Sequence, residues 1–339
     1  MAAKRLGGSI GRACERPNMP ALETDAILDE LITVRDWLRY GVSTFTKAKL
    51  SYGHGTGNAI DEAAFLILST LDLPIDTLEP WLDCRLTTDE RARVALKLAA
   101  RIATRKPASY LTNSAWIAGR KFYVDERVIV PRSFIGELLC RDGLAAAVAD
   151  PLAPKRVLDL CTGSGCLAIL AAEFFPHAQV DAADISSDAL AVARRNIADY
   201  GLEGRITVHA ADLFDGLPPA RYDLIVCNPP YVTAAAVAAF PAEYQAEPVL
   251  AHLGGADGLD LVHRILRDCS AYLAPHGTLV METGQARTDL EAARPDLPFL
   301  WLETETSEGE VLMLDAKDLR VMPTVGKGQL AARAAPSKS

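Results

Sequence analysis

The chain has 339 residues, half of them hydrophobic and 23% charged, with a formal net charge of −9. That length predicts two domains, and an acidic balance with no long basic block argues against a duplex-binding protein while suiting a basic protein partner. Short, Ala-rich apolar runs predict no membrane span, seven scattered cysteines without a Cys-x-x-Cys pair fit a reducing cytoplasm, and six dispersed histidines lack metal-ligand spacing.

Residues 1–21 and 318–339 are rich in Gly, Ala, Lys, Arg and Pro without periodicity, and read as disordered ends. Lys4, Arg5, Arg12 and Arg16 stand there without an apolar stretch beside them, unlike a signal peptide. Residues 22–110 have helical spacing. Ile27, Leu28, Leu31, Val34 and Leu38 form one stripe, and Phe65, Leu68 and Leu71 a shorter one. Thr87-x-x-Glu90 is a capping-box string ahead of Val94, Leu98 and Ile102. The prediction is a helical domain in which no chemistry is visible. Residues 111–133 change period: Phe122-Tyr123-Val124 and Val128-Ile129-Val130 flank Asp125-Glu126-Arg127, which predicts a hairpin linker.

The remainder, 134–317, opens with an apolar segment from Phe134 to Leu139 and then alternates strand and helix past Pro154. Strands are expected at 156–160, 179–185, 205–210, 221–227, 278–282, 299–304 and 310–315. Such alternation predicts an α/β fold with a doubly wound, mostly parallel sheet and helices on both faces. In the strand order 3-2-1-4-5, strands one and four are neighbours and the chain reverses between them. Ligands bind in the crevice at that switch point.

Each of the first four strands ends in a group suited to one ligand. Asp159-Leu160-Cys161-Thr162-Gly163-Ser164-Gly165 follows the first strand, where glycines admit close backbone approach and a helix N-terminus offers free N–H groups. The dinucleotide fingerprint G-x-G-x-x-G is absent, since Cys161 stands where its first glycine would be. An acid at position 159 repels a pyrophosphate and suits an ammonium group. S-adenosylmethionine carries both an α-amine and an α-carboxylate, and fits. Asp184-Ile185 ends the second strand at a distance suited to ribose hydroxyls. Asp212-Leu213-Phe214 ends the third, where an acid can accept from an adenine amine and apolar neighbours can sandwich the ring. Taken singly, each of these acids reads more readily as a helix cap or loop residue; it is their joint placement at consecutive strand ends that points to a ligand.

Asn228-Pro229-Pro230-Tyr231 follows the fourth strand. Two prolines end a strand because neither donates to the ladder. The stiff loop can hold a planar nitrogen group: the Asn228 side chain and a Pro229 carbonyl accept its N–H bonds, and the Tyr231 ring covers its face. By itself the string is equally an ordinary proline strand terminator.

Together these strings resemble the class I S-adenosylmethionine-dependent methyltransferases that modify planar nitrogen groups. Glu247-Pro248 and Gly254-Gly255-x-Asp257-Gly258-Leu259 resemble the protein-glutamine branch. Phe122 to Val128, Pro131-Arg132-Ser133 and Thr112 to Trp116 resemble the enzymes that methylate a glutamine of the third protein of the large ribosomal subunit. The resemblance covers roughly residues 22–317. It implies a seven-stranded catalytic sheet, a helical substrate-recognition domain, a basic ribosomal protein as partner, no metal, and no sequence-specific nucleic-acid binding. Release-factor glutamine methyltransferases carry Pro-Arg-x-x-Thr-Glu where this chain has Pro131-Arg132-Ser133-Phe134-Ile135-Gly136-Glu137. They remain an alternative, as do nucleic-acid amino-methyltransferases, whose basic recognition elements are missing here.

Overall fold

A computed structural model of the protein describes residues 21–140, 144, 148, 152–305 and 307–319. The expected disordered ends fall outside these residues, apart from Ala21, Asp318 and Leu319. Ala21 opens the first helix, and Leu319 is a buried residue of the last, so position 318 is not where the folded unit stops.

Five helices come first: α1 (Ala21–Glu30), α2 (Val34–Ala48), α3 (Ala59–Thr70), α4 (Thr88–Thr104) and α5 (Ala108–Thr112). The stripe from Ile27 to Leu38 is divided between two helices because Thr33 caps α2. Its hydroxyl accepts from the Asp36 amide, while the Asp36 carboxylate accepts from the Thr33 amide at 2.8 Å. Thr87 and Glu90 make the predicted reciprocal box at the start of α4. Trp37, Phe45, Leu66, Ile67, Val94 and Leu98 fill the core of this bundle.

The hairpin lies earlier than expected. Strand β1 (Ala115–Ile117) pairs antiparallel with β2 (Arg120–Phe122), and the turn is Ala118-Gly119, not Asp125-Glu126-Arg127. Ala118 and Gly119 have φ of 50° and 75°, as a two-residue turn that matches strand twist requires. Residues 123–130 cannot form the second pairing because their backbone groups go elsewhere. The Asn196 side chain accepts from the Tyr123 amide at 2.8 Å and donates to its carbonyl at 3.0 Å, and Glu247 accepts from the Val130 amide at 2.8 Å.

After α6 (Phe134–Cys140) comes the seven-stranded sheet. Its first four strands are β3 (Arg156–Leu160), β4 (Gln179–Asp184), β5 (Ile206–Ala210) and β6 (Tyr222–Cys227), with α7 (Cys166–Phe174) and α8 (Ser187–Asp199) among them. Two short helices, α9 (Ala234–Ala238) and α10 (Ala242–Gln245), and a longer α11 (Asp260–Asp268) precede β7 (Leu273–Glu282). Helix α11 starts only at Asp260 because residues 254–259 form a glycine turn, and after Asp268 residues 269–271 tighten to a 3₁₀ turn. Helix α12 (Arg287–Ala293), β8 (Leu300–Glu303), β9 (Glu308–Asp315) and α13 (Ala316–Leu319) complete the fold. The strand order is β5-β4-β3-β6-β7-β9-β8, with β9 antiparallel to both of its neighbours. Numbered from β3, the first five strands take the predicted 3-2-1-4-5 order, and β3 lies beside β6 in parallel. Apolar residues cover both faces of the sheet, as buried parallel strands require.

Candidate active site

The loop after β3 is shaped by two carboxylates. Asp159 is fully buried; its Oδ2 accepts from the Thr162 hydroxyl at 2.5 Å and the Ala168 amide at 2.9 Å, while Oδ1 is buried without a partner. Burial pushes this carboxyl up to about 7, against the lowering effect of those two bonds. Asp184, at the end of β4, accepts from the Gly163 amide and the Ser186 amide, each at 2.9 Å. Burial raises it too, more than those backbone bonds lower it. Cys161 has φ of 61°, a left-handed conformation that explains why glycine would suit that position. Gly165, at φ 80°, is closely required: a Cβ there would lie 3.2 Å from the Ala193 side chain on α8.

Two cavities open at the switch point. The larger, about 670 Å³, is lined by Cys161 and Gly163, by Asp184 and Ile185, by Asp212 and Leu213, and by Asn228 and Pro230. The ends of all four strands thus face one space, within the size range of small-molecule sites. The smaller, about 230 Å³, is lined by Cys161, Thr162, Gly163 and Ser164, by the whole of Asn228-Pro229-Pro230-Tyr231, and by Arg132, Ser133, Tyr244 and His252. Cys161, Gly163, Asn228 and Pro230 belong to both, so the cavities meet there. Three expected residues lie elsewhere. Asp159 and Gly165 line neither cavity, and act through the shape of the loop. Phe214 stacks on Tyr272 at 4.6 Å between ring centroids, and covers the core instead of a ligand ring.

The Asn228 amide is oriented by its Nδ2, which donates to the Arg132 carbonyl at 3.1 Å, leaving Oδ1 as its acceptor atom. Behind the loop, Gly254 and Gly258 touch its backbone: a Cβ on Gly258 would lie 2.4 Å from the Tyr231 carbonyl oxygen. The glycine string of the sequence is therefore the backing plate of the proline loop.

Residues 143–243 match the family model described as the methyltransferase small domain. A ribosomal protein uL3 glutamine methyltransferase of Bordetella pertussis is 55% identical over 290 residues, which are 86% of this chain and 97% of that protein. Its counterpart in Burkholderia pseudomallei is 53% identical over 294 residues, 85% of this chain and 95% of that one. The chain belongs to the family of ribosomal protein uL3 glutamine methyltransferases. A solved 16S rRNA methyltransferase of T. thermophilus aligns at 21% identity and a TM-score of 0.42 over 60% of this chain and 49% of that one, a likeness too distant to bear on substrate.

In this uL3 glutamine methyltransferase family member, three further residues shape the smaller cavity, and two of them, Glu282 and Asn196, carry no chemical pattern in the sequence. Glu282 ends β7 and is buried. Its Oε2 accepts from the Ser133 hydroxyl at 2.6 Å and the Phe134 amide at 3.1 Å, and its Oε1 lies 3.4 Å from the Tyr231 hydroxyl. Burial pushes it up to about 7 despite those donors. A single acid at the end of an apolar run offers nothing by which to single it out. Glu247 did carry a signal, in the Glu-Pro string. It accepts from Arg132 at 3.0 and 2.7 Å and from the Val130 amide, with His252 Nε2 at 3.1 Å and His54 Nε2 at 3.3 Å. Burial alone would raise it, but the nearby His252 and His54 rings and the Arg132 guanidinium outweigh that and hold it well below the usual carboxylate range. Asn196 on α8 is the third: its amide donates to the Ser164 carbonyl at 2.8 Å as well as to Tyr123, tying residue 123 to the glycine loop.

Proposed function

We propose that the protein transfers a methyl group from S-adenosylmethionine to the side-chain amide nitrogen of a glutamine in ribosomal protein uL3, the third protein of the large subunit. The larger cavity is the donor site and the smaller one the acceptor site. The observation that carries this is their junction at Asn228 and Pro230, where a group held in one cavity adjoins a group held in the other. The names of the relatives supply the protein target.

The donor cavity suits its ligand chemically. Asp184 and Asp212 offer acceptors at the strand ends, Ile185 and Leu213 offer apolar surface, and the Cys161–Gly163 backbone approaches closely. Bound there, S-adenosylmethionine supplies an electrophilic methyl on a sulfonium. An amide is a weak nucleophile because its lone pair is delocalised into the carbonyl. Asn228 Oδ1 and the Pro229 carbonyl are the acceptors for the two N–H bonds of the target, and the Tyr231 ring covers its plane. Catalysis rests on orientation and on dipoles already in place, and the proton leaves late. Glu282 acts on this site through Tyr231 and Ser133. Among the described residues no helix is long and apolar enough to cross a membrane, and no group of three or more His, Cys, Asp or Glu is placed to hold a metal. The protein works in the cytoplasm on a free or ribosome-bound basic protein.

The test is incubation with labelled S-adenosylmethionine and, separately, uL3, a release factor and RNA, followed by peptide mass spectrometry. Label on a glutamine of uL3 is expected. Label on a release factor or on RNA alone would replace this reading with one of the alternatives.

A further inference from the structure

We propose that the helical N-terminal region forms part of the acceptor site itself: the loop from Ser51 to Thr56 positions Tyr244, and Tyr244 sets how the segment bearing the target glutamine is seated. The inference deepens the function proposed above and rests on it for the identity of the acceptor.

Tyr244 lines the acceptor cavity together with Asn228 and Tyr231. It belongs to α10, a helix of four residues whose N-cap makes no side-chain hydrogen bond. So short a helix is not stable alone, and its place comes from what it packs on. Its partners lie in the N-terminal region. The Tyr244 hydroxyl donates to the Tyr52 carbonyl at 3.2 Å, and its ring centroid lies 4.2 Å from that of His54. Between those two residues is Gly53, at φ 126°, and a Cβ on it would stand 2.0 Å from the Tyr244 hydroxyl oxygen. Gly53 is thus a notch cut to the size of that hydroxyl. The preceding residue, Glu243, is buried and accepts from the Ser51 amide at 3.1 Å and from Arg105 at 3.0 Å. Two consecutive residues of α10 are therefore clamped by one loop of the helical domain.

The position of the ring gives the clamp a purpose. Tyr244 lines the same cavity as Asn228, with the Arg132 guanidinium over its ring at 5.6 Å to the centroid, so its place sets the wall along which the target side chain reaches the proline loop. Tyr244 is a positioning residue for the acceptor. It lines the smaller cavity and not the larger, so donor binding is independent of it.

Gly53→Ala and the double variant Gly53→Ala, Tyr244→Phe in the full chain test this. In Gly53→Ala the acceptor KM should rise by about tenfold or more, as displacement of a positioning group does, with kcat and the cofactor Kd near wild type. Removing the Tyr244 hydroxyl takes away the one atom closer than 3 Å to the new methyl, since the next lies at 3.2 Å. The double variant should recover most of the loss. Backbone strain at φ 126° is the same in both variants, so recovery in the double variant reports relief of the hydroxyl contact alone; no recovery at all would overturn the proposal, as would an unchanged KM in Gly53→Ala. Amide hydrogen exchange over residues 240–252, measured without acceptor, reads the same coupling: faster in Gly53→Ala and restored in the double variant. Should wild type leave uL3 unmethylated, the substrate reading falls while the exchange result still decides the coupling.

Discussion

At the scale of single residues, the proposed function rests the chemistry on Asn228 and the cofactor on Asp184. Asn228→Ala leaves an N–H of the target amide unpaired in the crevice, and loss of a comparable pre-organised group costs about 10²–10³-fold in rate. Turnover should collapse while cofactor affinity, measured by calorimetry, changes little. Near-normal turnover would reduce the loop to a strand terminator. Asp184→Ala should show the converse, weakening cofactor binding by about 1–3 kcal/mol. It would also release the Gly163 amide that Asp184 holds, so part of that loss is loop order. Asp159 gives a pH signature. Its carboxyl is up near 7 in the folded protein against about 3.9 in an unfolded chain. The native state then binds a proton that the unfolded state releases, and stability falls as pH rises between those values. Asp159→Asn removes that dependence, so its denaturation midpoint should gain on wild type between pH 5 and pH 8. A difference independent of pH would place the titration elsewhere.

At the scale of elements, the smaller cavity, the proposed acceptor site, is a meeting of strand ends and loops held by buried carboxylates. Glu282 at the end of β7 takes hydrogen bonds from the start of α6 and lies within reach of the proline loop after β6. Glu282→Ala leaves the Ser133 hydroxyl and the Phe134 amide without their acceptor, at a cost of about 1–3 kcal/mol for each buried unpaired group. Denaturant unfolding should report that loss, and kcat/KM for the acceptor should fall with it. Cofactor affinity should hold, because Glu282 does not line the donor cavity. A variant with full acceptor efficiency would make Glu282 a matter of stability alone.

At the scale of the whole molecule, Glu247 joins three parts of the chain: His54 from the helical region, Val130 and Arg132 from the segment after the hairpin, and His252 from the loop after the proline motif. Its carboxyl is held down in the fold, so its contribution is complete above the ordinary value of about 4.3 and is lost as pH falls below it. Acid unfolding followed by circular dichroism should show wild type losing stability more steeply below about pH 4 than Glu247→Gln. Equal acid slopes would mean that the link is already replaced by other contacts. With Glu243, which accepts from Ser51 and Arg105, it ties the helical region to the chain around the smaller cavity.

What the sequence determined by itself was local. Alternating apolar runs and glycine turns encode the strands and helices, and since parallel connections follow few topologies, the order of the first five strands followed, bringing Asp184, Asp212 and Asn228 to one edge. The tertiary structure decided what long-range partners control. It moved the hairpin to 115–122, because Asn196 and Glu247 claim the backbone of Tyr123 and Val130. It turned Asp159 into the support of its loop, because the hydroxyl of Thr162 and the amide of Ala168 face that carboxylate and the cavity does not. It also placed Gly53 against Tyr244, 191 positions away, a fit of one missing methyl group to one hydroxyl that no periodicity or spacing can record.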